Sequence, residues 1–252
     1  MTEQSYLVDS SVRRFEATVE RSLTDPARVV LDRTHFYPEG GGQPADRGTL
    51  TADGRTWTVT DVQKRDTVYH ELDGDAPEAG TTVTAELDAE RRTAHERYHT
   101  AQHLLSALLL DEYAAPTRGN QLYADRARID VAHDRFDPDA LDAIETRMNE
   151  LVDDSRPVRW YTMDRATAEE RLDTDRTRID LLPDSISELR IVEVGAVEGR
   201  EGGPTDGPGD EVYDRTACAG THVTETAAVG TVTVTGRESG GSGRERLHFE
   251  LD

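Results

Sequence analysis

At Asp88 the apolar pattern passes from short strand-like runs to that of a long helix, and that change constrains the fold more than any other feature of the 252-residue chain. Before it, short runs with the pattern of β structure fall at 15–19, 28–32, 56–60, 68–72 and 82–87. Turn pairs such as Asp53-Gly54 and Asp73-Gly74 separate the runs, which therefore read as strands of a small antiparallel barrel or sandwich. After it, Asp88 can cap a long helix reaching about residue 113, with Tyr98, Ala101, Leu104, Leu105, Leu108 and Leu109 on its apolar face. A second helix is expected around Leu141, Ile144, Met148, Leu151 and Val152, and strand-like pieces return at 158–162, 189–194, 229–234 and 246–251. The expectation is an α+β chain of two domains: a small antiparallel β-barrel-like domain over 1–88 and an α+β domain over 89–252. The stretch 198–210, rich in Gly, Pro and acidic residues, reads as a flexible surface insertion. No internal repeat is evident.

Three histidines, His95, His99 and His103, follow one another at i, i+4 steps on the long helix. Side chains so spaced lie about 5–6 Å apart on one face, close enough for two imidazoles to meet one metal ion. Such a pair arises by chance more often than as ligands. Far downstream, however, Cys218-Ala-Gly-Thr-His222 sets a thiol and an imidazole four residues apart around a glycine. Thiolate and imidazole are the ligands Zn2+ prefers, and the two pairs together point to one zinc ion per chain.

The string His95-Glu96-Arg97-Tyr98-His99 also matches the H-E-x-x-H motif of zinc proteases, in which the glutamate activates water. That motif needs a third ligand, and the position for its long form is Leu105, with Gln102 where a glycine belongs. If His99 and His103 are the pair instead, the residue after the first ligand is Thr100, which cannot act as that base.

His99-Thr-Ala-Gln-His103-Leu-Leu and Cys218-Ala-Gly-Thr-His222-Val closely resemble the signatures HTAxHLL and CGGTHV of the alanyl-tRNA synthetase editing domain. Ala219 replaces the usual first glycine, a change expected to affect loop flexibility more than ligation. The block from Thr34 through Gly40-Gly-Gly-Gln43 to Asp46 and Gly48 resembles the glycine-rich motif that precedes that domain, and Arg128-Ile-Asp130 resembles its RxD segment. Nothing resembles an adenylate-forming domain, so the similarity is to the freestanding AlaX editing proteins, particularly the medium-length type. It implies a β-barrel-like first domain, an editing domain of the threonyl/alanyl-tRNA synthetase type, zinc held by His99, His103, Cys218 and His222, and hydrolysis of mischarged alanine tRNA.

Ester hydrolysis needs a positioned water and stabilisation of charge developing on the carbonyl oxygen, and zinc can serve either need. Four protein ligands would fill a tetrahedral shell, so the ion must gain a ligand, lose one, or act by positioning the tRNA 3′ end; all three stay open. Cys218 as a covalent nucleophile is a further alternative, disfavoured because a metal-bound thiolate is poorly placed to attack. The glycine run alone reads as a tight hairpin loop, although its amides could hold an anionic group. Thr34 and Gln43 are expected in the catalytic pocket, Thr34 as the partner of a serine hydroxyl. Arg128, Arg244 and Arg246 are candidates for tRNA contact, against the commoner role of arginines in ion pairs with residues such as Asp130.

Charge bears on that partner. The chain carries 51 acidic and 29 basic residues, a net charge of −22, and Lys64 is its single lysine. The acidity is expected to suit a cytosol of molar salt, where the Debye length is roughly 3 Å and self-repulsion is screened. Recognition of RNA would then rest on hydrogen bonds, stacking and shape. Circular dichroism across a KCl series should show a loose chain in dilute buffer that becomes compact near molar salt; full folding in dilute buffer would contradict this. No apolar run approaches the roughly 20 residues of a spanning helix. No secretory signal opens the chain and Cys218 cannot form an internal disulfide, so a cytoplasmic location is expected, with no membrane and no obligate protein partner. The function expected is trans-editing of seryl-tRNA specific for alanine tRNA, with glycyl-tRNA a further candidate. Its rivals are editing of seryl-tRNA charged for threonine and a non-catalytic zinc-stabilised RNA-binding module.

Overall fold

The computed structural model describes residues 1–173, 176–177, 179, 186–196, 202–205, 207–209 and 212–252. The chain divides into two compact units, Met1–His95 and Glu96–Asp252. In the first, β1 (Glu3–Gln4) pairs in parallel with β4 (Arg33–Thr34). A closed barrel follows, built from β2 (Arg14–Thr24), β3 (Ala27–Leu31), β5 (Gly48–Ala52), β6 (Arg55–Lys64), β7 (Val68–Leu72) and β8 (Thr82–Leu87) in the order β2-β3-β7-β6-β5-β8. Every neighbouring pair among these strands is antiparallel.

Alternation builds the barrel core, and bulges correct its phase. On β6, Trp57 and Val59 point inward; a register shift between Val59 and Asp61 then brings Val62 inward instead of Asp61. Asp53 and Gly54, both at positive φ, close the β5–β6 hairpin as a two-residue loop whose twist suits the strands. Gly48 meets β8 so closely that a Cβ there would lie 2.1 Å from the Glu86 carbonyl oxygen. Only glycine allows β5 to complete the barrel at that point. In the barrel the expected strands match β2, β3, β6, β7 and β8, except that β3 ends at Leu31 and not at Asp32; β5 is not among those expected, nor are β1, β4 and the later strands Thr117–Leu122 and Ala127–Val131.

The helix α1 (Ala89–Tyr113) begins where Asp88 accepts the Arg91 amide at 3.0 Å, as expected of a capping residue. Its middle departs from the expected one-sided pattern. Every residue from 98 to 109 is buried, including His99, Thr100, Gln102, His103 and Ser106. A helix covered on all sides can keep such polar groups only if they are partnered, which marks this stretch as more than scaffold.

In the second unit, β9 (Thr117–Leu122), β10 (Ala127–Val131), β15 (Val232–Ser239) and β16 (Glu245–Leu251) form an antiparallel sheet in the order β15-β16-β10-β9. A second sheet has the order β13-β11-β12-β14, with β11 (Val158–Asp164), β12 (Glu188–Gly195), β13 (Gly203–Pro204) and β14 (Val212–Ala217). The expected second helix is α2 (Pro138–Asp153), capped by Asp137 and burying Ile144, Met148, Leu151 and Val152; a short α3 (Arg165–Arg171) follows β11. The expected strand at 229–234 begins later. Residues 226–229 form a 3-10 turn and Gly230 sits at φ +80°, so pairing starts at Val232.

Within the stretch 198–210, residues 198–201, 206 and 210 lie outside the described residues. Its described parts are tied to the second sheet: β13 pairs with Arg159 and Trp160, and the Gly209 amide donates to the buried Glu193 carboxylate at 2.9 Å. Among the described residues no helix is long and apolar enough to cross a membrane.

Candidate metal centre

The two sequence pairs converge. His99 and His103 come from successive turns of α1, and Cys218 and His222 from the loop after β14. Their ligand atoms all lie within 4.8 Å of one another, and among the described residues this group is the one able to hold a metal ion. Cys218 Sγ is 3.5 Å from both His99 Nε2 and His222 Nε2. Tetrahedral zinc with thiolate and imidazole at ordinary bond lengths places those atoms about 3.5 Å apart, so the donor set fits the ion in chemistry and spacing. His95 is buried on the same helix but is not in the group, so the H-E-x-x-H arrangement is not formed.

Electrostatics prepare the thiol. Burial alone would raise it, but the nearby His99, His103 and His222 imidazoles hold Cys218 well below its ordinary pKa. The Gly220 amide donates to its sulfur at 3.3 Å, which also favours thiolate. Burial drives His222 well below the usual imidazole range, keeping it neutral as a metal ligand must be.

Behind the ligands lie residues that the sequence reading missed. Asp214 on β14 is buried and takes two hydrogen bonds from Arg176, at 2.7 and 2.6 Å. Its Oδ2 is 3.5 Å from His103 Nδ1, the side of the ring turned away from the cluster. Burial opposes charge on Asp214, yet Arg176 and His103 hold its pKa below the ordinary carboxylate value. A carboxylate facing the far nitrogen of a ligand histidine is the usual second layer of a metal site. No spacing rule could have linked Arg176 and Asp214 to His103, because they meet only through the fold.

The glycine-rich block belongs to the first unit. Gly41 and Gly42 have φ of +60° and +85°, and the Gly40 and Gln43 backbones exchange hydrogen bonds of 3.1 and 3.0 Å around them. The run is therefore a tight hairpin turn, as the glycines alone suggested. Tyr37 Oη braces it by donating to the Gly40 carbonyl at 2.9 Å. Its base is clamped by Asp46, whose carboxylate accepts the Tyr37 amide at 2.6 Å and pairs with Arg92, both side chains being fully buried. Arg92 also donates to the carbonyls of Ser10 and His35, at 2.8 and 2.5 Å.

Thr34 and Gln43 are both fully buried. The Thr34 hydroxyl lies 2.8 Å from His70 Nε2 and accepts the Phe36 amide at 3.1 Å. Burial, partly opposed by the Val29 carbonyl, pushes His70 down to about 4. Its neutral ring faces that carbonyl through Nδ1 at 3.4 Å, which directs the Nδ1 proton there and leaves Nε2 to accept from Thr34. An unfolded histidine titrates near 6.5, so His70 contributes stability that is complete above that pH and is lost as pH falls from about 6.5 to about 4, roughly 3 kcal/mol in all. Denaturant unfolding of wild type and His70→Gln at two pH values should show the smaller acid loss in the variant. Parallel curves would assign the acid loss elsewhere.

Of the arginines singled out for tRNA, Arg128 and Arg246 both pair with Asp130, at 3.0 and 2.6 Å, and Arg244 is exposed. Asp130 is held below its ordinary pKa by Arg246 first and Arg128 second.

Comparison with known proteins agrees with this architecture. The family tRNA synthetases class II (A) matches residues 5–91. The alanyl-tRNA editing protein AlaX-M of Methanosarcina barkeri is 37% identical, with 100% of this chain and 99% of the relative covered. That of Methanosarcina acetivorans is 36% identical over the same shares. The alanine–tRNA ligase of Halorubrum lacusprofundi is 37% identical over 98% of this chain but only 25% of the ligase. The chain belongs to the family of AlaX-M alanyl-tRNA editing proteins.

Proposed function

We propose that this chain is a deacylase acting in trans on tRNA for alanine that carries the wrong amino acid, with seryl-tRNA as substrate and glycyl-tRNA as a further candidate. The observation that carries the reading is the cluster of His99, His103, Cys218 and His222 in a chain that matches freestanding editing proteins from end to end. One zinc ion is the metal that the three imidazoles and the thiolate would hold, and it would supply Lewis acidity at a site of about +1 net charge. The chain's own residues keep the thiol ionised, keep His222 neutral and shield the site from bulk water. Arg244, with Arg128 and Arg246 beside Asp130, would meet the tRNA backbone. The setting is a reducing cytoplasm of molar salt. Purified protein in high KCl should release serine from seryl-tRNA for alanine and spare seryl-tRNA for threonine. The opposite preference would favour the threonine reading, and binding without release the RNA-binding module.

Serine exceeds alanine by one hydroxyl, so size exclusion cannot spare the correct product, whereas a partner for that hydroxyl can. In this reading the partner is Thr34. Its proton is committed to His70 and one lone pair to the Phe36 amide, so it offers serine an acceptor. Thr34→Val leaves both partners unmatched and should cost about 1–3 kcal/mol of stability. The ratio of seryl- to alanyl-tRNA deacylation on the same variant sample cancels that loss. It should fall about tenfold or more if the hydroxyl contact is removed. An unchanged ratio would move the discriminating contact elsewhere.

A further inference from the structure

Thr100 stands between the two helical ligands and is fully buried, yet it is not one of the four residues that can hold the ion. Its hydroxyl has a complete set of partners. The Glu96 carbonyl lies 2.9 Å away and can only accept, so the hydroxyl's single proton goes there. The Val223 amide donates to the oxygen at 3.3 Å. His222 Nδ1 lies 3.2 Å from the same oxygen. With its proton committed, Thr100 can only accept from that nitrogen, which must therefore be protonated. Neutral His222 then carries its lone pair on Nε2, the atom 3.5 Å from Cys218 Sγ.

We propose that Thr100 is the positioning residue that fixes the tautomer and ring direction of His222, presenting Nε2 to the metal. The inference rests on the metal reading above and deepens it. A residue anchored to α1 at i−4 thereby holds a ligand that arrives from a loop 122 positions away. The arrangement also gives the threonine of the His99-Thr-Ala-Gln-His103 string a task that ligand spacing alone does not assign.

The test is zinc affinity of the full chain in molar KCl, by competition with a chromophoric chelator, for wild type, Thr100→Val and Thr100→Ser. Outer-layer partners of metal histidines are worth about 10–100-fold in affinity, so Thr100→Val should weaken binding by that factor while Thr100→Ser stays within about threefold. A packing role predicts the reverse, because valine keeps the shape and serine loses the methyl group. Equal affinity in wild type and Thr100→Val, or a serine variant as weak as the valine variant, would overturn the proposal. Nitrogen-15 spectra of the His222 ring in metal-free protein separate this claim from the metal reading. A protonated Nδ1 in wild type that is lost or mixed in Thr100→Val supports the role of Thr100 even if no zinc binds. A protonated Nε2 in wild type overturns it whether or not zinc binds.

Discussion

Arg92→Met is expected to destabilise the chain by about 3–5 kcal/mol, because it strands the Asp46 carboxylate without its counter-charge in a fully buried place. The guanidinium pairs with both Asp46 oxygens and donates to the carbonyls of Ser10 and His35, so one side chain ties the N-terminal segment, both ends of the glycine-rich block and the first turn of α1. Asp46→Ala should cost a similar amount by leaving Arg92 unpaired and the Tyr37 amide without its acceptor. Replacing both residues should cost less than the sum of the two, since each single variant strands one buried charge and the double variant strands neither. Denaturant unfolding in molar KCl measures all three. A loss below about 1 kcal/mol in Arg92→Met would mean that water or another cation reaches Asp46.

The second large effect concerns the metal. Alanine at His99, His103, Cys218 or His222 should each remove stoichiometric zinc, a loss beyond the about 10–100-fold expected when only an outer-layer partner is changed. His95→Ala should keep the metal, because His95 is not among the four clustered ligands. Metal analysis of the purified variants distinguishes the outcomes. A His95 variant that loses zinc, with His222→Ala retaining it, would restore the H-E-x-x-H alternative.

The features legible in the sequence were those carried by local rules. Short β-type runs marked β2, β3, β6, β7 and β8, the Asp53-Gly54 pair marked a turn, and Asp88 marked the start of α1. The i, i+4 spacing on a helix and across a glycine loop brought the histidines and Cys218 forward as ligand candidates, and the resemblance to the editing-domain signatures singled out His99, His103, Cys218 and His222 over His95. Where local rules failed, long-range packing had taken over. β5 was missed because its place depends on Gly48 lying against Glu86 and Leu87. The helix α1 read as one-sided because its polar residues are buried for their chemistry. Arg92, His70, Arg176 and Asp214 left no signal, since each acts through partners 36 or more positions away.

The most direct test of the account is release of serine from seryl-tRNA for alanine by one protein preparation in molar KCl, as purified, after removal of metal, and after zinc is returned. Hydrolysis is expected as purified, with its loss in the metal-free protein while the circular dichroism spectrum stays folded, and its return with one equivalent of zinc. Undiminished hydrolysis by folded, metal-free protein would contradict it.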